Sequence, residues 1–184
     1  VAGKSVSGAL VMMAAHEVLH SLALTHRDPE QLLNLANRRL YGLGSRKSFV
    51  ALAYLTSAPD GDGLLYSLAG QPQPLLRTCS GEVRELDLPP NRIPLGALDN
   101  GSYFLTHAPM EFGDLVVGYS DGVIDAKSPT GASFGIERLC GVIASAGSSP
   151  EAVIDRILRS LDEFTQGTEP YDDVTLVAVQ CDRE

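Results

Sequence analysis

Three carboxylates stand where strand ends could put them to chemical use. Asp121 closes the apolar run 114–120 and is followed by Gly122, while Asp172 and Asp173 stand just before the apolar run 174–179. A buried strand ending in an Asp-Gly turn presents its carboxylate at a sheet edge. An Asp pair opening another strand does the same from the opposite direction. If the two strands are antiparallel neighbours, the carboxylates meet at one end of the sheet, and oxygen ligands on a rigid scaffold suit hard divalent cations. Taken singly, Asp-Gly is also an ordinary turn and Asp-Asp an ordinary polar strand start, so spacing alone leaves both readings open. A second group competes. His16, Glu17 and His20 spell H-E-x-x-H, in which both histidines share a helix face and could hold Zn²⁺ with Glu17 as base.

The elements that must position these groups follow from periodicity and punctuation. Residues 6–24 are rich in Ala, Leu, Met and Val and read as a helix, with Met12 and Met13 as core-packing residues. Asp28 as N-cap, Pro29 at the first helical position and Gln31 three residues on from the cap start a second helix, closed by Gly42 and Gly44. The pattern then changes to strands at 49–56 and 64–68, a hairpin around the turn 59–63, with further short strands at 75–76, 83–86 and 103–106. After the strand ending at Ser120 come helices at 135–144 and 150–164, the latter capped by Ser149, and a last strand at 174–179.

With 184 residues, the chain is long enough for one well-buried domain, and single-domain organisation over 1–184 is expected. Its 44% hydrophobic and 20% charged residues are the balance of a soluble globular protein. A net charge of −9 argues against nucleic acid as partner, and no apolar run is long enough for a membrane span. The scattered Cys79, Cys140 and Cys181 read as reduced thiols, which points to the cytoplasm.

The chain also resembles a known family in five segments, taken in order. Ser120-Asp121-Gly122-Val123-Ile124-Asp125-Ala126 resembles the TDG-V-x-E-A segment of RsbU/SpoIIE-type phosphatases, bacterial members of the metal-dependent PPM superfamily. Phe134-Gly135-Ile136-Glu137-Arg138-Leu139 resembles FG-x-x-RL, and Tyr171-Asp172-Asp173-Val174-Thr175-Leu176 resembles the terminal DD-[IV]-T-[LV] strand. The stretch from Leu68 to Leu76 resembles N-AGH-x-P-P-LL, with Gln71 in place of the usual His. The front, from Val1 to Leu10, resembles D-V-[AS]-G-[HK]-G-x-x-A-A-L, with Ser5 in place of the second Gly.

That resemblance implies an α+β fold, a four-layer αββα sandwich of the metal-dependent protein phosphatase type. The chain would start inside the first metal-binding motif, short of the first strands and the earliest aspartates. Two Mn²⁺ or Mg²⁺ ions are implied, with Asp121 and Asp172 as ligands, Asp173 as their neighbour and Val1 offering a backbone carbonyl. Two metals hold and activate a water that attacks phosphorus in line, so no side-chain nucleophile is needed. The implied substrate is a phosphoserine or phosphothreonine of a regulatory protein such as an anti-sigma-factor antagonist, in signal transduction and stress response. An upstream sensor or receiver domain in the parent chain is implied as well, and homodimerisation is compatible with it. The alternatives are a catalytically silent regulatory or binding module of the same fold and, more remotely, the H-E-x-x-H zinc protease. A metzincin protease would recruit His26 as third ligand, but it needs Gly where this chain has Ala23, and alanine continues the helix.

Overall fold

The computed structural model describes residues 6–43, 48–168 and 172–182. The apolar start, with no proline to break it, forms helix α1 (Val6–Ala23). Helix α2 (Pro29–Leu40) begins at the predicted cap. The Asp28 carboxylate accepts the Gln31 N–H at 3.1 Å, and Pro29 occupies the first turn, where a missing N–H costs nothing. Gly42 follows the helix in the left-handed region (φ +79°), and Gly44 lies outside the described residues. Strands β1 (Leu52–Ser57) and β2 (Gly63–Ala69) make the expected hairpin, with Leu52 opposite Ala69 and Ser57 opposite Leu64. Strands β3 (Leu75–Arg77), β4 (Val83–Glu85), β5 (Thr106–Pro109) and β6 (Leu115–Tyr119) come next. The order closes with α3 (Asp121–Ile124), α4 (Ile136–Ala144), α5 (Pro150–Thr165) and β7 (Leu176–Gln180).

The architecture is α+β, and the chain divides into two compact units. One takes the chain as far as Gln71 and returns for Asp87–Pro109. It holds α1, α2 and an antiparallel sheet in the order β1-β2-β5. The other takes Pro72–Leu86 and the chain from Met110 onward, and holds α3, α4, α5 and an antiparallel sheet in the order β4-β3-β6-β7. Each unit has its own core. Leu22, Leu32, Leu33 and Leu95 fill the first; Leu115, Val117, Leu139, Val153 and Ile157 fill the second. Burial of this apolar surface, at about 25 cal/mol per Å², is the main favourable term in either unit.

Inside the first unit, the amide of Asn37 is fully buried and fully used. Its Nδ2 donates to the Leu98 carbonyl at 3.0 Å, and its Oδ1 accepts the Gly96 N–H at 2.8 Å and the Tyr103 hydroxyl at 3.2 Å. Burial pushes the Tyr103 hydroxyl up to about 12, so it stays a donor through the physiological range. Replacing Asn37 with alanine strands three polar groups away from water and is expected to cost about 2–4 kcal/mol. Urea unfolding measures this, and a loss under about 1 kcal/mol would show that water replaces the amide without penalty.

Two expectations are corrected here. The strand predicted at 103–106 is displaced to β5, because α2 captures the backbone it would have used. Asn34 bonds both the N–H and the carbonyl of Tyr103, at 3.2 and 3.0 Å, and the Glu30 carboxylate accepts the Leu105 N–H at 2.9 Å. Met12 and Met13 are not core residues but are 57% and 64% exposed. Helix α1 is apolar on nearly every side, and the face that packs on α2 carries Val11, Ala15 and Leu22.

Inside the second unit, the FG-x-x-RL segment works as a clasp. The Arg138 guanidinium lies 4.4 Å from the centre of the Phe164 ring and donates to the Phe134 carbonyl at 2.7 Å. The two phenylalanines meet edge to face, and together these contacts tie the start of α4 to the end of α5. At the far end of α4, Arg77 is buried and donates to the Ile143 and Ala146 carbonyls at 3.1 and 3.3 Å. A cation thus faces the negative end of the helix.

Candidate metal centre

Strand β6 is buried at Leu115, Val116, Val117 and Tyr119 and lies between β3 and β7. Its register with β7 puts Tyr119 opposite Leu176. The residues that follow β6 and those that precede β7 therefore leave the sheet at one end. Asp121 and the Asp172–Asp173 pair are those residues. Ser120 fastens the two segments together. Its N–H donates to the Thr175 carbonyl at 3.0 Å, its hydroxyl donates to the Asp173 carbonyl at 2.9 Å, and the same hydroxyl accepts the Thr175 N–H at 2.9 Å.

The Asp-Gly step is not the turn its composition suggests. The chain runs on into α3, because Val123 is drawn fully into the core and the Asp125 N–H closes on the Asp121 carbonyl at 2.8 Å. Gly122 permits a close approach there. An added Cβ would fall on the Asp173 carbonyl, 2.9 Å from its carbon, and 3.2 Å from the Asp172 carbonyl oxygen. The glycine is needed for space, since nothing larger than the bare backbone fits against the 172–173 segment.

The Asp121 carboxylate accepts the Gly122 N–H at 3.0 Å, and that of Asp172 accepts the Asp173 N–H at 2.9 Å. These local bonds hold each head group in place while leaving lone pairs free. All three aspartates are exposed, and among the described residues none is ion-paired with Lys, Arg or His. Carboxylates that converge on one site repel one another, and a divalent ion bound between them would offset that repulsion. The donor set is all oxygen, as a hard cation requires. It is also partial: among the described residues no three His, Cys, Asp or Glu side chains form a metal cluster, and Val1 lies outside the described residues. The aspartates therefore fit part of a coordination shell. Sequence reasoning assigned no role to the Ser120 hydroxyl or to the space at Gly122. The Ser-Asp-Gly triplet was in view, but the groups it meets lie about fifty residues away.

The rival motif does not assemble. Helix α1 runs unbroken past His16 and His20, whose rings stack with centres 6.1 Å apart. His26 lies beyond the helix, where its N–H bonds the Leu22 carbonyl and its Nδ1 meets the Thr25 hydroxyl at 2.8 Å. Glu17 is exposed, and its carboxylate lies 3.5 Å from the neighbouring His16. Glu17→Gln is accordingly expected to change stability by less than about 0.5 kcal/mol and to leave any hydrolytic activity in place. A large loss of activity in that variant would restore the motif as a catalytic element.

The model of the family described as Stage II sporulation protein E (SpoIIE) matches residues 1–182 of the chain. The chain belongs to the SpoIIE family. Phosphoserine phosphatase RsbU of Bacillus subtilis is 25% identical over 180 residues, covering 98% of this chain and 53% of RsbU. Protein IcfG of Synechocystis is 32% identical over 85 residues, 46% of this chain and 13% of IcfG. The chain thus spans about half the length of one curated relative and a small part of the other. Among solved structures, the SiaA-PP2C domain of Pseudomonas aeruginosa superposes with a TM-score of 0.81 at 21% identity, covering 98% of this chain and 73% of that one. The fold is that of a PP2C-type phosphatase domain. Within this SpoIIE-family chain, no helix of the described residues is long and apolar enough to cross a membrane.

Proposed function

We propose that this domain is a Mg²⁺- or Mn²⁺-dependent phosphatase acting on phosphoserine or phosphothreonine of a regulatory protein in the cytoplasm. An anti-sigma-factor antagonist is the substrate kind that the resemblance favours. The observation that carries the reading is that the segments bearing Asp121 and Asp172–Asp173 leave the sheet of the second unit at one end, tied together by Ser120, and that among the described residues none of the three aspartates is ion-paired with Lys, Arg or His. Asp121 and Asp172 would hold the metal from two different chain segments, with Asp173 beside them and the Val1 carbonyl as a further oxygen. Ser120 fixes the spacing of the segments, and Gly122 lets them approach. Bound there, a divalent pair supplies an activated water and neutralises the phosphoryl oxygens. With the positive charge supplied by metal, an acidic domain can handle a phosphate.

The test is hydrolysis of a phosphoserine peptide by the 184-residue protein with Mn²⁺, with Mg²⁺ and with chelator. Metal-dependent turnover supports the reading, and turnover that persists in chelator overturns it. Paramagnetic Mn²⁺ should also broaden the amide resonances of 121–123 and 172–174 before others. A second reading, a binding module of the same fold, is favoured by the partial ligand set. It predicts that those resonances stay sharp and that no phosphate is released.

A further inference from the structure

The second unit holds a cavity of about 200 Å³ that shares its rim with the candidate metal centre. Gly122 and Asp172 form one side, and Leu158, Leu161, Val174 and Ala126 form mostly apolar walls. Its size is selective. Cofactor and drug-like sites run to roughly 300–1,000 Å³, whereas a cavity of about 150 Å³ already takes a benzene-sized apolar group. A single apolar side chain fits.

Leu158 shows that this surface is left over from folding. Helix α5 buries Val153, Ile157 and Leu161 in the core, yet Leu158 on the same helix is 41% exposed and turned to the cavity. Lys127, the one cation among the described residues of the rim, donates to the Ser133 hydroxyl at 2.7 Å, while Asp162 and Asp172 bring negative charge. An acidic side chain would be repelled there, and a neutral apolar one gains from burial.

We infer that this cavity is a specificity subsite, receiving an apolar side chain of the phosphoprotein substrate within about three residues of the phosphorylated serine; this rests on the phosphatase reading above. The distance limit follows from the shared rim at Asp172, since an extended chain advances only about 3.3 Å per residue.

The experiment uses seven-residue phosphoserine peptides in an alanine background, with one Leu moved through three positions on either side of the phosphoserine. Turnover is compared with that of p-nitrophenyl phosphate, which has no flanking residue. Binding is read separately on methyl resonances, with Mg²⁺ and a non-hydrolysable phosphonate analogue of phosphoserine. One Leu position should raise kcat/KM about tenfold or more over the alanine peptide and shift the methyls of Leu158, Leu161 and Val174. Asp at the same position should remove the gain. Leu158→Asp should narrow the difference between the Leu and alanine peptides to within about twofold. Leu158→Ala, which perturbs the helix less, checks the same loss if the aspartate variant unfolds.

Equal use of all peptides, with no methyl shifts, overturns the subsite. So does Leu-dependent binding that is identical for the unphosphorylated peptide, because the cavity would then serve another ligand. Hydrolysis of p-nitrophenyl phosphate reports on the phosphatase reading independently. If it proceeds while the peptides behave alike, only the subsite fails.

Discussion

Replacing Asp121 with asparagine is expected to lower metal-dependent phosphoserine hydrolysis by at least about a hundredfold while changing stability by less than about 1 kcal/mol. The amide keeps the size of the carboxylate, and its oxygen can still accept the Gly122 N–H now bonded at 3.0 Å. What it removes is the charge that would hold a cation. The effect should appear in metal affinity as well as in turnover, so raising Mn²⁺ should recover part of the activity. Hydrolysis within threefold of the parent at low metal would rule out Asp121 as a ligand.

The second large effect is expected at Gly122. A methyl group there has nowhere to go, because its surroundings are the backbone carbonyls of Asp172 and Asp173 rather than the end of a flexible side chain. Gly122→Ala should push the 172–175 segment away from α3, strain the Ser120 bonds and cost about 1–3 kcal/mol. Activity should fall further than stability, since the two halves of the carboxylate group would separate. Gly141→Ala in α4 is the control. An added Cβ there meets nothing within 4 Å, and alanine should stabilise that exposed helix position by about 0.5–1 kcal/mol. A Gly122→Ala variant with full activity and unchanged melting would show that the segment adapts, and would remove spacing as a requirement of the site.

Much of this was legible locally. Asp28 and Ser149 announce their helices because a cap bonds an N–H three residues on, within the reach of sequence patterns. The carboxylates could be placed because a buried strand leaves its ends in view. What escaped was non-local. Nothing near Tyr103 announces that Asn34, sixty-nine residues earlier, will take its backbone bonds and displace the strand. Periodicity could not choose the face of α1 either, since a helix apolar on nearly every side offers no clear one to bury, and Met12 and Met13 fell on the exposed one. The hydroxyl of Ser120 meets its partners only after the chain has formed α3, α4 and α5.

The exchange of chain between the two units has a consequence for the order of synthesis. The β3–β4 hairpin leaves the ribosome well before β6, the strand that covers its open side, and β6 in turn waits for β7. The first unit also cannot close until β5 has emerged, since β5 pairs with β2. Neither unit is therefore complete as a nascent segment, and the apolar β3 spends that interval with an unpaired edge. A nascent chain that had emerged only as far as the stretch between Pro109 and Leu115 would present the residues of the whole first unit together with a hairpin still exposed to chaperones or to a neighbouring chain.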